Sequence, residues 1–224
     1  MRQIFGDNEV MKKIFLISLL LVFSSVHYAQ TRDFGQWEND MKAFEAADAR
    51  QMPPKDAILF VGSSSIRMWT DLAADFPDKK IINRGFGGSQ IADSTYFTDR
   101  IIIPYQPKMI LLYAGDNDLN DGKTPEQVFA DYGAFVDKVR VKLPKAKIAF
   151  IAIKPSPSRA ELLPKMAAAN EMIKKYSTRK LNLVFIDIYK PMLGADGQPR
   201  IADMLHMNRG GYDVWKKAIA PYLK

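Results

Sequence analysis

The sequence predicts an α/β sandwich built on parallel crossovers. Five short runs rich in β-branched and aromatic residues carry that reading, together with the helically spaced stretches between them and the Gly-rich and polar clusters that follow the runs. The runs cover 57–61, 80–83, 109–113, 147–153 and 183–189, and their near-continuous apolar character is that of strands buried on both faces. An amphipathic segment over 34–47 precedes the first run and is expected to pack outside the sheet. Helical spacing follows over 91–103, 125–143, 160–176 and 211–223. Thr124-Pro125-Glu126 marks a helix start, with Thr124 as cap and Pro125 at the first helical position, where its missing N–H costs nothing. Lys154-Pro155-Ser156-Pro157-Ser158 reads as a loop because its prolines break a helix.

The chain has 224 residues and no cysteine, so its fold rests on an apolar core without disulfides. Near the N-terminus, Lys12-Lys13 precede the apolar run 14–23, and Ala29 supplies a small residue at the exit. This order of charge, apolar stretch and small residue predicts a secretory signal over 1–30, with Met11 as the start and cleavage after Ala29 or Gln30. The run is well short of the ~20 residues of a membrane span. The expected mature product is a single domain over 31–224, exported by a bacterium to the periplasm or medium and lacking a stable membrane anchor. Removing Arg2, Lys12 and Lys13 against Asp7 and Glu9 lowers the net charge of +7 by one. Lysines and arginines recur over 138–147 and 174–180 without an acid inside either stretch, and these short runs read as solvated helix or loop faces rather than as a nucleic-acid groove.

Ligands of open α/β sheets gather at the carboxyl ends of the strands, and the polar clusters fall there. Gly62-Ser63-Ser64-Ser65 follows the first run, Gly85-Phe86-Gly87-Gly88 the second, and Gly115-Asp116-Asn117-Asp118 the third. The chain has two histidines, and His27 lies in the expected signal, which leaves His206 as the one base suited to a serine hydrolase. Asp203 stands three positions before it, a carboxylate available to orient the imidazole. Serine hydroxyls after a strand, backbone N–H groups of a glycine-rich turn and the Asn117 amide supply a nucleophile and oxyanion donors. Spacing alone does not choose among Ser63, Ser64 and Ser65. A dinucleotide fingerprint would need glycine where Gln90 stands, and a calcium loop would need glycine and glutamate where Asp121 and Gln127 stand.

Gly62-x-Ser64, Asn83-x-Gly85-x-x-Gly88, Gly115-x-Asn117-Asp118 and Asp203-x-x-His206 together resemble the four ordered blocks of the SGNH, or GDSL-type, esterase and lipase family. The tail His206-Met207-Asn208-Arg209-Gly210-Gly211-Tyr212 is similar to that family's ending, and the likeness runs from about Ala57 to the C-terminus. The resemblance implies a flavodoxin-like, three-layer α/β/α sandwich with a five-stranded, mostly parallel sheet. It implies Ser64 as nucleophile, His206 as base and Asp203 as its orienting partner. The N–H groups of Ser64 and Gly88 and the side chain of Asn117 would form the oxyanion hole. Neither a metal nor an organic cofactor is implied. Ser63 departs from the family, which usually carries Asp there, and Ser65 replaces Leu or Ile. A hydroxyl accepts fewer and weaker hydrogen bonds than a carboxylate, so Ser63 is expected to brace the nucleophile loop less than that Asp would.

The expected activity is hydrolysis of a carboxylic ester through an acyl-enzyme on Ser64. Small-molecule or glycan-linked esters are the expected partners, and short O-acetyl groups on carbohydrate are favoured because the chain lacks an inserted lid. Lysophospholipase or thioesterase activity within the same family, and a non-catalytic acyl-glycan-binding module, are the alternatives. Trp69, Met68, Met204 and Met207 adjoin the four blocks as candidate pocket walls, with core packing expected for at least half of them, and Arg67 and Arg84 are candidate contacts to an anionic substrate or surface cations.

Overall fold

The computed structural model describes residues 32–199 and 204–223. The expectations placed on the 1–30 leader, on His27 and on Asp203 lie outside the described residues. Phe34–Lys224 is one compact unit. Its sheet comprises β1 (Ile58–Gly62), β2 (Ile81–Gly85), β3 (Met109–Tyr113), β4 (Lys147–Ile151) and β5 (Leu183–Ile186) in the order β2-β1-β3-β4-β5. Every neighbouring pair is parallel, and the antiparallel bridge between Leu193 and Pro199 stands outside the sheet.

The nine α-helices among the described residues are α1 (Glu38–Arg50), α2 (Ser64–Arg67), α3 (Leu72–Asp75), α4 (Ile91–Tyr96), α5 (Thr98–Ile101), α6 (Asp116–Asn120), α7 (Pro125–Lys142), α8 (Leu163–Thr178) and α9 (Arg209–Ile219). Strand alternation sorts the core into two layers. Leu59, Val61, Ile110, Leu112, Ile148 and Phe150 face one side, where Met41, Ile91, Phe135 and Ile173 cover them. On the other side, Ile58, Phe60, Leu111, Tyr113 and Ile151 pack beneath Trp69, Trp215 and Ile219. The result is the expected three-layer sandwich, with its sheet parallel throughout.

Several boundaries differ from the sequence reading for local reasons. The stretch 91–103 splits into α4, α5 and a 3-10 turn at Ile103–Tyr105. Thr95 and Thr98 bond back to the carbonyls of Ile91 and Ser94, a pattern that bends helices, and Pro104 then ends the segment. The fourth strand stops before Ile153 because the amide of Asn170 takes over that residue's backbone bonds, at 2.8 and 3.0 Å. The fifth stops at Ile186 because Asp187 Oδ1 accepts from the backbone N–H groups of Tyr189 and Lys190. In the last helix, Asn208 caps the N-terminus by accepting from Gly211 N at 3.1 Å, so the helix begins at Arg209. Thr124 and Gln127 form the reciprocal cap of α7 that the Thr-Pro-Glu start foretells.

From β1 the chain crosses to β2 on one side and then returns to β3 on the other. The strand order therefore reverses at β1, and the crevice at its carboxyl end is where such sheets hold ligands.

Candidate active site

Gly62 ends β1 with φ +128°, and a Cβ there would stand 1.9 Å from the carbonyl oxygen of Tyr113. Only glycine fits, and the close approach lets Ser63 N donate to that same oxygen at 2.9 Å. The chain then turns into the single helical turn of α2. Asn83 braces it from β2: its Nδ2 donates to Ile66 O at 2.8 Å, while its Oδ1 accepts from Gly85 N at 2.9 Å. Gly85 lacks room for a side chain, since a Cβ would meet Arg67 N at 2.3 Å. The Asn83-x-Gly85 spacing thus secures the serine-bearing turn.

The three consecutive serines differ in access. Ser63 and Ser65 are buried, at 1% and 2% exposure, while Ser64 is half-buried. Ser64 Oγ lies 3.2 Å from His206 Nε2. An Nε2 that accepts from the hydroxyl leaves the ring proton on Nδ1. The segment that carries His206 is held through its backbone, with Ser158 N donating to Met204 O at 2.8 Å and Lys154 Nζ to Leu205 O at 2.7 Å. Beyond Met207 and Asn208 the same tail is anchored again, since Arg209 forms a bidentate pair with Asp75 at 2.6 and 2.9 Å.

Gly88, in the loop after β2, is exposed and takes φ +73°. That loop is held by Trp37 Nε1, which donates to Gly87 O at 2.8 Å, and by Ser89 Oγ, which donates to Phe86 O at 3.1 Å. Asn117 stands on α6 shortly after Gly115, whose φ of +114° makes the turn out of β3. Its side chain has three partners. Nδ2 donates to Ser63 Oγ at 2.8 Å and to Ser89 O at 3.0 Å, and Oδ1 accepts from Arg159 Nη2 at 2.9 Å. Both amide hydrogens are committed in this arrangement, so an oxyanion would enter as a further acceptor of a shared bond. Ser64, Gly88, Asn117 and His206 are all at least partly exposed, whereas Ser63, Ser65, Ser89, Asp116 and Asp118 around them are buried.

Buried charge lies directly behind this edge. Asp116 Oδ2 is 3.6 Å from Lys154 Nζ and 3.3 Å from Arg159 Nη1. Burial, reinforced by the Asp116 carboxylate, raises the Tyr113 phenol well above its ordinary range. Asp118 is pushed up to about 6 by burial, with Lys123 at 3.1 Å opposing the shift. Among the described residues no cluster of three His, Cys, Asp or Glu side chains is arranged to hold a metal ion.

Of the four residues that adjoin the blocks, Trp69 and Met207 pack in the core beneath the last helix, as expected for at least half of them, and Met68 and Met204 are exposed. Arg84 is neither a surface cation nor a substrate contact: it is buried against Asp48 and the Tyr105 hydroxyl. The sequence reading also missed the contact of Ser63 with Asn117, and it gave Lys154 and Arg159 no role. A lysine directly after an apolar strand end was a signal for the first cation; Arg159 carried none.

This sheet edge and its chemistry define a carboxylic-ester hydrolase on an α/β sandwich. The chain belongs to the GDSL-like Lipase/Acylhydrolase family, which residues 60–214 match. It is 28% identical over 170 residues to the platelet-activating factor acetylhydrolase IB subunit alpha2 of Rattus norvegicus, covering 69% of this chain and 70% of the relative. Among solved structures, a Streptococcus pneumonia protein named for platelet activating factor superposes with a TM-score of 0.75 at 20% identity, covering 96% of this chain and 99% of the other. A mutant of an acetyl-xylooligosaccharide esterase from Geobacillus Stearmophilus does so with a TM-score of 0.59 at 13% identity, covering 76% and 95%.

Proposed function

We propose that this chain hydrolyses short acyl esters, O-acetyl groups on carbohydrate foremost, through an acyl-enzyme on Ser64. The observation that carries the reading is the 3.2 Å approach of Ser64 Oγ to His206 Nε2. His206 takes the hydroxyl proton as Ser64 Oγ attacks the acyl carbon, then returns it to the departing alcohol; water repeats both steps to free the acid. Asp203 is assigned to His206 Nδ1–H, where a carboxylate fixes the tautomer. The N–H groups of Ser64 and Gly88 and the amide of Asn117 are assigned to the developing oxyanion, and each such donor is worth about 3 kcal/mol. The names of the rat acetylhydrolase and the acetyl-xylooligosaccharide esterase support the choice of acetyl, and the second supports carbohydrate. Export is proposed on the Lys12-Lys13 and 14–23 pattern alone.

The test is turnover of p-nitrophenyl acetate, butyrate and longer esters and of acetylated xylooligosaccharide, with a fluorophosphonate probe to mark the reactive serine. Label on Ser64 and a preference for acetyl are expected. Wild-type turnover no greater than that of Ser64→Ala would favour the non-catalytic glycan-binding alternative.

A further inference from the structure

Arg159 is the least expected member of the network behind the sheet edge. It is 8% exposed, yet it lies between exposed Ser158 and Ala160 in the 3-10 segment Pro157–Leu162, and the backbone departs from helical geometry at Arg159 itself, with φ −130° and ψ 30°. Burying a guanidinium is costly unless its donors find acceptors. Nη2 donates to Asn117 Oδ1 at 2.9 Å, and Nη1 sits 3.3 Å from Asp116 Oδ2 without hydrogen-bond alignment.

We propose that Arg159 is a positioning residue that acts through Asn117, holding its amide so that Nδ2 faces the serine-bearing turn; this rests on the ester-hydrolase reading above. A guanidinium has donors only, so the amide atom facing it must be Oδ1. Nδ2 is thereby turned toward Ser63 Oγ and Ser89 O, at 2.8 and 3.0 Å, on the side of the serine turn. The terminal amide torsion is broad and roughly two-fold, so without this cation only the Ser89 carbonyl opposes a rotation that would aim Oδ1 at the site, where it would repel an oxyanion. The charge-assisted bond also draws electron density from the amide and strengthens its N–H groups as donors. Ser63 supplies the matching acceptor at the position where the family usually carries Asp.

A double-mutant cycle with p-nitrophenyl acetate tests the coupling. Asn117→Ala is expected to lower kcat by about 100-fold. Arg159→Met should lower kcat by about 10-fold with KM changed less than about twofold, and Arg159→Lys, which keeps a charged donor, should recover part of that loss. In the Asn117→Ala background, Arg159→Met should cost less than about twofold further. Losses that multiply, or a loss expressed in KM alone, would overturn the proposal. If Arg159→Met fails to give a cooperative melt, Arg159→Lys carries the same cycle, with the same criterion. Ser64→Ala separates this proposal from its parent: retained turnover there overturns the acyl-enzyme on Ser64, whereas abolished turnover with a multiplicative cycle overturns the Arg159 assignment alone.

Discussion

Tyr212 Oη donates a hydrogen bond to the backbone carbonyl of Ser65 at 3.0 Å, tying the last helix to the serine-bearing turn. Both residues are buried. Tyr212→Phe leaves that carbonyl without its donor and is expected to destabilise the fold by about 1 kcal/mol, read as a lower denaturant midpoint at unchanged m-value. Because the bond steadies the turn next to Ser64, kcat should fall modestly as well. An unchanged midpoint would show that the bond contributes nothing net.

The three serines should separate cleanly on substitution. Ser64→Ala is expected to reduce turnover to the background of the assay. Ser63→Ala removes an acceptor of Asn117 Nδ2 and should lower kcat by about 10-fold with a small change in melting temperature. Ser65→Ala should retain most activity, since the contact to Tyr212 uses the backbone carbonyl. Steady-state kinetics on the three variants check the order, and a larger loss at Ser65 than at Ser64 would contradict it.

Gly62→Ala places a methyl group 1.9 Å from Tyr113 O at a φ of +128°. Neither strain can relax without moving β1 from β3. A loss of roughly 3 kcal/mol or more is expected from chemical denaturation, and the serine turn should be displaced with it.

Two buried carboxylates give opposite pH signatures. Asp75 is lowered to about 2 by its hydrogen bonds from Arg209, with Trp69 and Lys216 adding to them and burial opposing. Its contribution is present above the ordinary carboxylate value near ~4 and is lost as pH falls toward about 2. Because solvent screens the exposed Arg209, Asp75→Asn should remove only about 1–2 kcal/mol of that acid dependence. Asp118, raised to about 6, binds its proton more tightly when folded. Its contribution is therefore present in acid and lost as pH rises from about 4 through about 6. Melting curves of wild type and Asp118→Asn across that window should diverge in this direction, and parallel curves would count against the assignment.

Much of the fold was legible because buried parallel strands leave uninterrupted apolar runs: 109–113 matches β3 residue for residue. Ends were less legible where side chains replaced backbone partners, as Asn170 does at Ile153 and Asp187 at Tyr189. At the site, Gly62, Asn83 and Gly85 could be read because each answers a local steric or hydrogen-bonding demand. The roles of Ser63, Lys154 and Arg159 depend on neighbours distant in the chain, so no spacing encodes them.

Ser64 and His206 are 142 positions apart in the chain. Nothing local brings them together, so a chain that has formed its helices and even its first three strands still lacks the pair. Recovery of catalysis during refolding should accordingly lag behind recovery of helical signal, which makes hydrolysis a reporter of completed tertiary closure.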